Sequence, residues 1–328
     1  MKFFSLNKSE LSIKLFGLLN ITNKDSNLII DHFSDGEFQP VFKESVRDED
    51  IYILADGSSS NDIIKLCLTI SAAKKAGAAN VIAIYPFAPY SRQDKLKNGI
   101  RSSISARVLA DMLEAVGLNR LITIELHSLA IMGMYDVPVI HLNGNVIFST
   151  YMKSINLRDL CVCPPDAGAV ERAKDFARIF PESNTALIEK TRKKFNEIAS
   201  MVLIGEENVI GRNVITVDDM FDTGGTASKS SILLKEKGAA SIRMVATHFV
   251  GSGKALENIY NSALTELVVS DSVLGTYEKV AKYNELYTTP NQFGILPKIT
   301  IISCADVLAE TITRLNNRRS INELNTVY

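Results

Sequence analysis

The segment Val214-Ile-Thr-Val-Asp-Asp-Met-Phe-Asp-Thr-Gly-Gly-Thr226 admits few folds. Val214, Ile215 and Val217 form the short β-branched run of a buried parallel-sheet strand. Gly224-Gly225 then marks a tight turn ahead of a helical pattern over Thr226–Lys237. At such a helix start the backbone amides lack partners and the helix dipole is positive, which favours a phosphate. The hydroxyls of Thr223 and Thr226 add donors. Asp218, Asp219 and Asp222 would repel a bare phosphate, so the ligand must also bring hydroxyls or a divalent cation to receive them. A sugar phosphate meets both demands. An ordinary turn with an aspartate cap accounts for Asp222 but not for Asp218 and Asp219 in succession.

The rest of the chain is large enough to surround such a strand. Its 328 residues and 46% apolar content support two cores, and two domains are expected. A formal charge of −1, with Arg192-Lys193-Lys194 as the longest basic run, argues against nucleic acid as a partner. Cys67, Cys161, Cys163 and Cys304 have neither zinc spacing nor a nearby histidine and read as reduced, buried thiols. Lys8, Glu10 and Lys14 interrupt any signal core after Phe3-Phe4, and no later run is long enough for a membrane span, so a cytoplasmic location is expected.

Strand-like and helical runs alternate through Ile51–Ala55, Asn61–Lys75, Val81–Tyr85, Ser105–Val116 and Leu121–Glu125. The rhythm restarts with Asp159–Cys163, Ala169–Ile179, Thr185–Ile188, Val214–Val217, Thr226–Lys237 and Ser241–His248. This is a βαβ pattern written twice, and the order of elements suggests a duplication. The polar Asn143-Gly144-Asn145 breaks it, placing a boundary within Leu142–Asn156. The expected domains are 1–145 and 146–303, with 304–328 as a helix and tail packing back across them.

Four further segments carry polar chemistry. Glu189–Asn196 is charged and aperiodic and reads as a mobile cationic loop, in which Lys190 and Arg192 could neutralise a transferring phosphoryl group. Taken alone, such a run is a solvated basic face. His127 stands at the end of a strand, where a lone histidine is more often a hydrogen-bonded structural group than a ligand. Arg92-Gln93 follow an apolar strand and the Pro86–Pro89 turn, a position suited to phosphate or nucleobase. Asp35-Gly36-Glu37 after Phe33 offers acceptors and a ring to stack on, or is simply a turn between strands.

In order and spacing, Phe33-Ser-Asp-Gly-Glu37, Pro89-Tyr-Ser-Arg-Gln-Asp94, Glu125-Leu-His127, Pro165-Asp-Ala-Gly168, Lys190-Thr-Arg192 and Val217–Thr226 together resemble the ribose-phosphate diphosphokinases. The resemblance implies an α/β fold of two type I phosphoribosyltransferase-like domains, each a mainly parallel sheet flanked by helices. It implies transfer of the diphosphoryl group of MgATP to C1 of ribose 5-phosphate, and a homo-oligomer, a hexamer built from dimers. By the same resemblance Lys190 and Arg192 are catalytic. Phe33, Asp35, Gly36, Glu37, Arg92 and Gln93 bind ATP, the Phe33–Glu37 loop reaching it from a neighbouring subunit. Arg192, Asp218, Asp219, Asp222, Thr223, Gly224, Gly225 and Thr226 hold ribose 5-phosphate, and His127 and Asp166 contact Mg2+. The chain departs from the family pattern at Ser103, Ala130, Met132 and Ala169. Two other readings use the same loop: a phosphoribosyltransferase, which should be near half this length, and a catalytically silent regulatory paralogue, against which the retained Lys190, Arg192, His127 and Asp166 argue.

Overall fold

A computed structural model describes residues 1–21, 27–96, 99–194 and 197–325, with side chains described outside 191–200. The chain divides into two compact units, 1–143 with 272–274 and 304–324, and 144–271 with 275–303 and 325–328.

The first unit contains β1 (Lys2–Ser5), α1 (Glu10–Leu18), β2 (Leu28–His32), β3 (Phe38–Phe42), β4 (Asp50–Leu54), α2 (Ser60–Lys75), β5 (Asn80–Ile84), α3 (Ser105–Ala115), β6 (Arg120–Ile124) and β7 (Val139–Leu142). Its five-stranded parallel sheet has the order β1-β4-β5-β6-β7, while β2 and β3 form a separate antiparallel hairpin. Ile51 and Ile53 on β4 and Val81 and Ala83 on β5 are fully enclosed, because helices such as α2 lay Leu66 and Ile70 against them. Full burial of a Leu or Ile side chain is worth about 1.5–3 kcal/mol. α2 begins where Ser59 and Asp62 cap one another: the Asp62 amide donates to Ser59 Oγ at 3.2 Å and the Ser59 amide to Asp62 Oδ2 at 3.0 Å.

The second unit contains α4 (Asn145–Ser154), β8 (Leu160–Val162), α5 (Val170–Ala177), β9 (Asn184–Thr185), β10 (Leu187–Lys194), β11 (Glu197–Ile204), β12 (Asn213–Phe221), α6 (Gly225–Glu236), β13 (Ser241–Phe249), α7 (Ala255–Tyr260), β14 (Glu266–Ser270), α8 (Thr276–Leu286) and β15 (Lys298–Ile302). Its six-stranded parallel sheet has the order β15-β14-β13-β12-β8-β9, with β10 and β11 as a separate antiparallel ribbon. Its core joins Val214, Leu234, Ile242, Met244, Leu267 and Val269. The last helix, α9 (Ala305–Asn316), belongs to the first unit and packs on α1.

Two expectations change. β12 does not stop at Val217 but stays paired with β13 through Phe221, since backbone pairing continues past the last apolar residue of the run. Residues 187–194 are strand and not loop, because β11 supplies backbone partners that the charged sequence does not advertise. The division between the units falls between Asn143 and Gly144, directly ahead of α4, whose Ile147, Phe148 and Met152 are buried. All four cysteines are free and buried.

One buried charge is tied into the second sheet. Glu266 opens β14 with 7% of its side chain exposed. Its Oε1 accepts from Tyr151 Oη at 2.5 Å and Thr300 Oγ1 at 2.5 Å, and its Oε2 accepts from Arg243 Nε at 3.3 Å. Burial alone would raise its pKa, but the two hydroxyls with Lys298 and Arg243 outweigh it and hold the carboxyl below its ordinary range. Such a group stabilises the fold above its unfolded pKa and loses that contribution as pH falls through the lower folded value. Glu266→Gln is expected to lower stability at pH 7 by about 1–3 kcal/mol. Its gap from the parent should shrink in thermal melts as pH falls below about 4.3. A variant melting with the parent at pH 7 would contradict this.

Candidate active site

Asp218 and Asp219 project from a paired strand, in register with β13 through Asp218↔Ala246. Alternation sends them to opposite faces. Asp219 is buried, and 23% of the Asp218 side chain reaches solvent. Asp218 Oδ1 accepts from the Asp219 amide at 2.9 Å and from Arg172 Nη1, on α5, at 3.4 Å. Withdrawal from bulk water and then the charge of Asp219 push the Asp218 carboxyl well above its ordinary range. Arg172 opposes that rise and Asp166 adds to it. The site is therefore an acidic cluster short of positive charge.

Asp166 follows β8. Its Oδ1 accepts from the Gly168 amide at 3.0 Å, fixing the turn, and its Oδ2 accepts from Lys190 Nζ at 3.0 Å. Only 3% of the Lys190 side chain is exposed, so the ammonium is held in a buried pair and not in a solvated loop. The structure thus joins two residues that sequence reasoning assigned to different tasks. The Arg192 side chain and residues 195–196 lie outside the described residues.

The cradle follows. Gly224 has φ +76°, and a Cβ there would lie 2.5 Å from Phe221 Cζ, so only glycine fits the turn. No side chain among the described residues caps the start of α6, which leaves its first amides facing outward beside exposed Thr223 and half-buried Gly225 and Thr226. Ser252 braces this turn: its hydroxyl donates to Asp222 Oδ1 and its amide to the Asp222 carbonyl at 3.2 Å. Asn258 Nδ2 donates to the Thr223 carbonyl at 2.8 Å. Lys279 Nζ donates to the Val250 carbonyl at 2.7 Å; burial lowers its pKa against the pull of Glu278 and Asp222. Sequence reasoning missed Arg172, Ser252, Asn258 and Lys279. Only Ser252, between two glycines, carries a local signal.

The remaining candidates belong to the first unit. Phe33–Glu37 form the tip of the β2–β3 hairpin: the Phe33 amide donates to the Glu37 carbonyl at 2.8 Å, and Asp35 Oδ1 accepts from the Glu37 amide at 3.0 Å. Gly36 supplies φ +95° and Phe33 is 51% exposed, so the turn and an available ring coexist. Arg92 and Gln93 are exposed, the Gln93 Oε1 accepting from Ser105 Oγ at 2.7 Å. His127 is exposed just beyond β6.

Among the described residues no group of three or more His, Cys, Asp and Glu side chains could enclose a metal ion. The hard carboxylate oxygens of Asp166 suit magnesium, an ion that keeps much of its shell as water and phosphate. The raised pKa of Asp218 marks a place where added positive charge would relieve repulsion. The His127 nitrogen is the poorer donor for that ion.

Gly224→Ala is expected to destabilise the protein by about 1–3 kcal/mol, through strain in the left-handed turn and collision with Phe221. Thermal or denaturant unfolding checks this, and an unchanged midpoint would mean that the turn has room.

Comparison with known proteins gives the same answer from both halves. Residues 1–117 match the N-terminal domain of ribose phosphate pyrophosphokinase and residues 137–277 the phosphoribosyl transferase domain. A ribose-phosphate pyrophosphokinase of Vibrio cholerae is 36% identical over 327 residues, covering 99% of this chain and 98% of its own. One from Pasteurella multocida is 34% identical over 330 residues, covering 99% of each. The crystal structure of phosphoribosylpyrophosphate synthetase from Mycobacterium smegmatis superposes with a TM-score of 0.83 at 30% identity, covering 96% of this chain and 98% of its own. With both domains matched and relatives aligned over nearly its full length, the chain belongs to the ribose-phosphate pyrophosphokinase family.

Proposed function

We propose that the protein transfers the β,γ-diphosphoryl group of ATP to the C1 hydroxyl of ribose 5-phosphate, giving 5-phosphoribosyl 1-diphosphate and AMP. The observation that carries this reading is the open start of α6 behind the Gly224 turn, flanked by Asp218, Asp219 and Asp222. Its amides suit the 5-phosphate and its carboxylates suit ribose hydroxyls. In the transfer the C1 hydroxyl oxygen bonds to the β phosphorus, the bond from that phosphorus to the oxygen bridging it to the α phosphate breaks so that AMP leaves with that oxygen, and the hydroxyl proton passes to solvent. A loose phosphoryl-like transition state needs little general-base help, and positioning with charge neutralisation supplies most of the catalysis.

Lys190 is assigned the developing charge on the transferred group, with Arg192 beside it in the same motif. The Lys190–Asp166 pair then has a second meaning: a triphosphate would take the ammonium, and Asp166 would be released. Magnesium, when bound, would neutralise phosphate charge, and the family motifs assign its protein contacts to His127 and Asp166. Phe33, Asp35, Gly36 and Glu37, with Arg92 and Gln93, are assigned to the nucleotide. The hairpin tip serves a neighbouring subunit of a homo-oligomer, a hexamer built from dimers, in a cytoplasmic enzyme.

Formation of AMP from MgATP and ribose 5-phosphate by the pure protein tests the reaction, and no AMP would refute it. Lys190→Ala is expected to lower turnover on the order of 10³-fold or more while ribose 5-phosphate binding changes little. Near-normal turnover would remove Lys190 from the mechanism. Asp222→Ala should raise KM for ribose 5-phosphate more than KM for ATP; the reverse order would mean that the two sites are exchanged. Shared sites predict recovered activity when Lys190→Ala and Glu37→Ala chains are mixed under subunit exchange, and a fully active monomer in light scattering would oppose them.

A further inference from the structure

The second unit carries a cleft at the end of its sheet opposite to the cradle. Asp159, Ser183 and Arg212 immediately precede β8, β9 and β12, which are neighbouring parallel strands, so all three residues meet at one edge. The cleft there has a volume of about 460 Å³ and is walled by Ile179 and Phe180, with Arg158, Asp159, Glu182 and Arg212 as its charged lining. The nine residues of β12 separate it from Asp222 by about 30 Å at 3.3 Å per residue.

The charges in this cleft are not spent on one another. Arg212 Nε is buried and has no hydrogen-bond partner among the described residues. A guanidinium N–H withdrawn from water without an acceptor is rare in a native fold and calls for a partner. Among the described residues no ion pair joins Arg158 or Arg212 to Asp159 or Glu182, although all four line the same space. The arginine fork matches phosphoryl oxygens, and exposed carboxylates accept from hydroxyls while repelling a bare anion.

We propose that this cleft binds a small phosphorylated, hydroxyl-bearing molecule, with its phosphoryl oxygens on the Arg212 and Arg158 guanidinium groups and its hydroxyls on Asp159 and Glu182. Ile179 and Phe180 face its carbon body. The assignment is independent of the reaction proposed for the cradle.

Calorimetric titration of the full chain with glycerol 3-phosphate, and separately with inorganic phosphate, tests it. Arg158→Gln and Arg212→Gln are each expected to weaken glycerol 3-phosphate binding about tenfold or more, as loss of a charge-assisted hydrogen bond does. Thr226→Val, which alters the cradle, should leave that binding in place. Glu182→Gln should weaken glycerol 3-phosphate and leave inorganic phosphate unchanged or tighter. Arg158 is exposed, so its variant carries the test where Arg212→Gln does not fold. Binding by both arginine variants with the parent's affinity and stoichiometry overturns the site, as does loss of all binding in Thr226→Val. Equal weakening of both ligands by Glu182→Gln overturns the role of Glu182.

Discussion

Two carboxylates in succession within a paired strand repel each other at short range, and Asp219 is buried as well. In the second unit the surrounding elements are placed to contain that charge. α5 brings Arg172 to Asp218, and the ribbon of β10 and β11 brings Lys190 to Asp166. Burial first and the charge of Asp219 second hold the Asp218 carboxyl well above its ordinary range, with Arg172 opposing the rise. The unbound protein therefore stores an electrostatic deficit that a polyhydroxylated ligand or a divalent cation would relieve.

The cradle was legible because its signal is local. A β-branched run, paired glycines and a helical period all fall within a dozen or so residues, and backbone geometry follows from them directly. The two parallel sheets were legible for the same reason, repeated along the chain. What escaped depends on partners far away in sequence. Lys190 looked like part of a solvated loop because its environment is made by Asp166, 24 positions earlier, and by backbone pairing to β11. Arg172 reaches Asp218 across 46 positions and carries no local mark. Residues 272–274 join the first unit although the sequence around them reads as part of the second. The roles of Phe33–Glu37, Arg92, Gln93 and His127 rest on the family motifs, since each also makes sense as a turn or surface residue.

Rigidity and adjustability are divided within the cradle itself. The Gly224 turn is fixed by the Phe221 ring and by hydrogen bonds from Ser252 and Asn258. The Lys190–Asp166 pair is instead an exchangeable contact, because each partner has an alternative in a phosphate or a cation. Under the proposed function, a fixed turn on the sugar-phosphate side and an exchangeable pair on the phosphoryl side would suit a reaction whose geometry at the acceptor must be set before charge moves.

The shape of the second sheet also bears on how this chain avoids sticking to itself. On one side the sheet ends in β9, only two residues long, beside the three residues of β8. An edge that short offers too few free amides and carbonyls to template an added strand. Fibrillar stacking through that border is blocked by backbone arithmetic alone. Contacts between copies of the chain at that margin would have to be made by side chains, leaving the choice of partner to shape and charge instead of to the generic backbone.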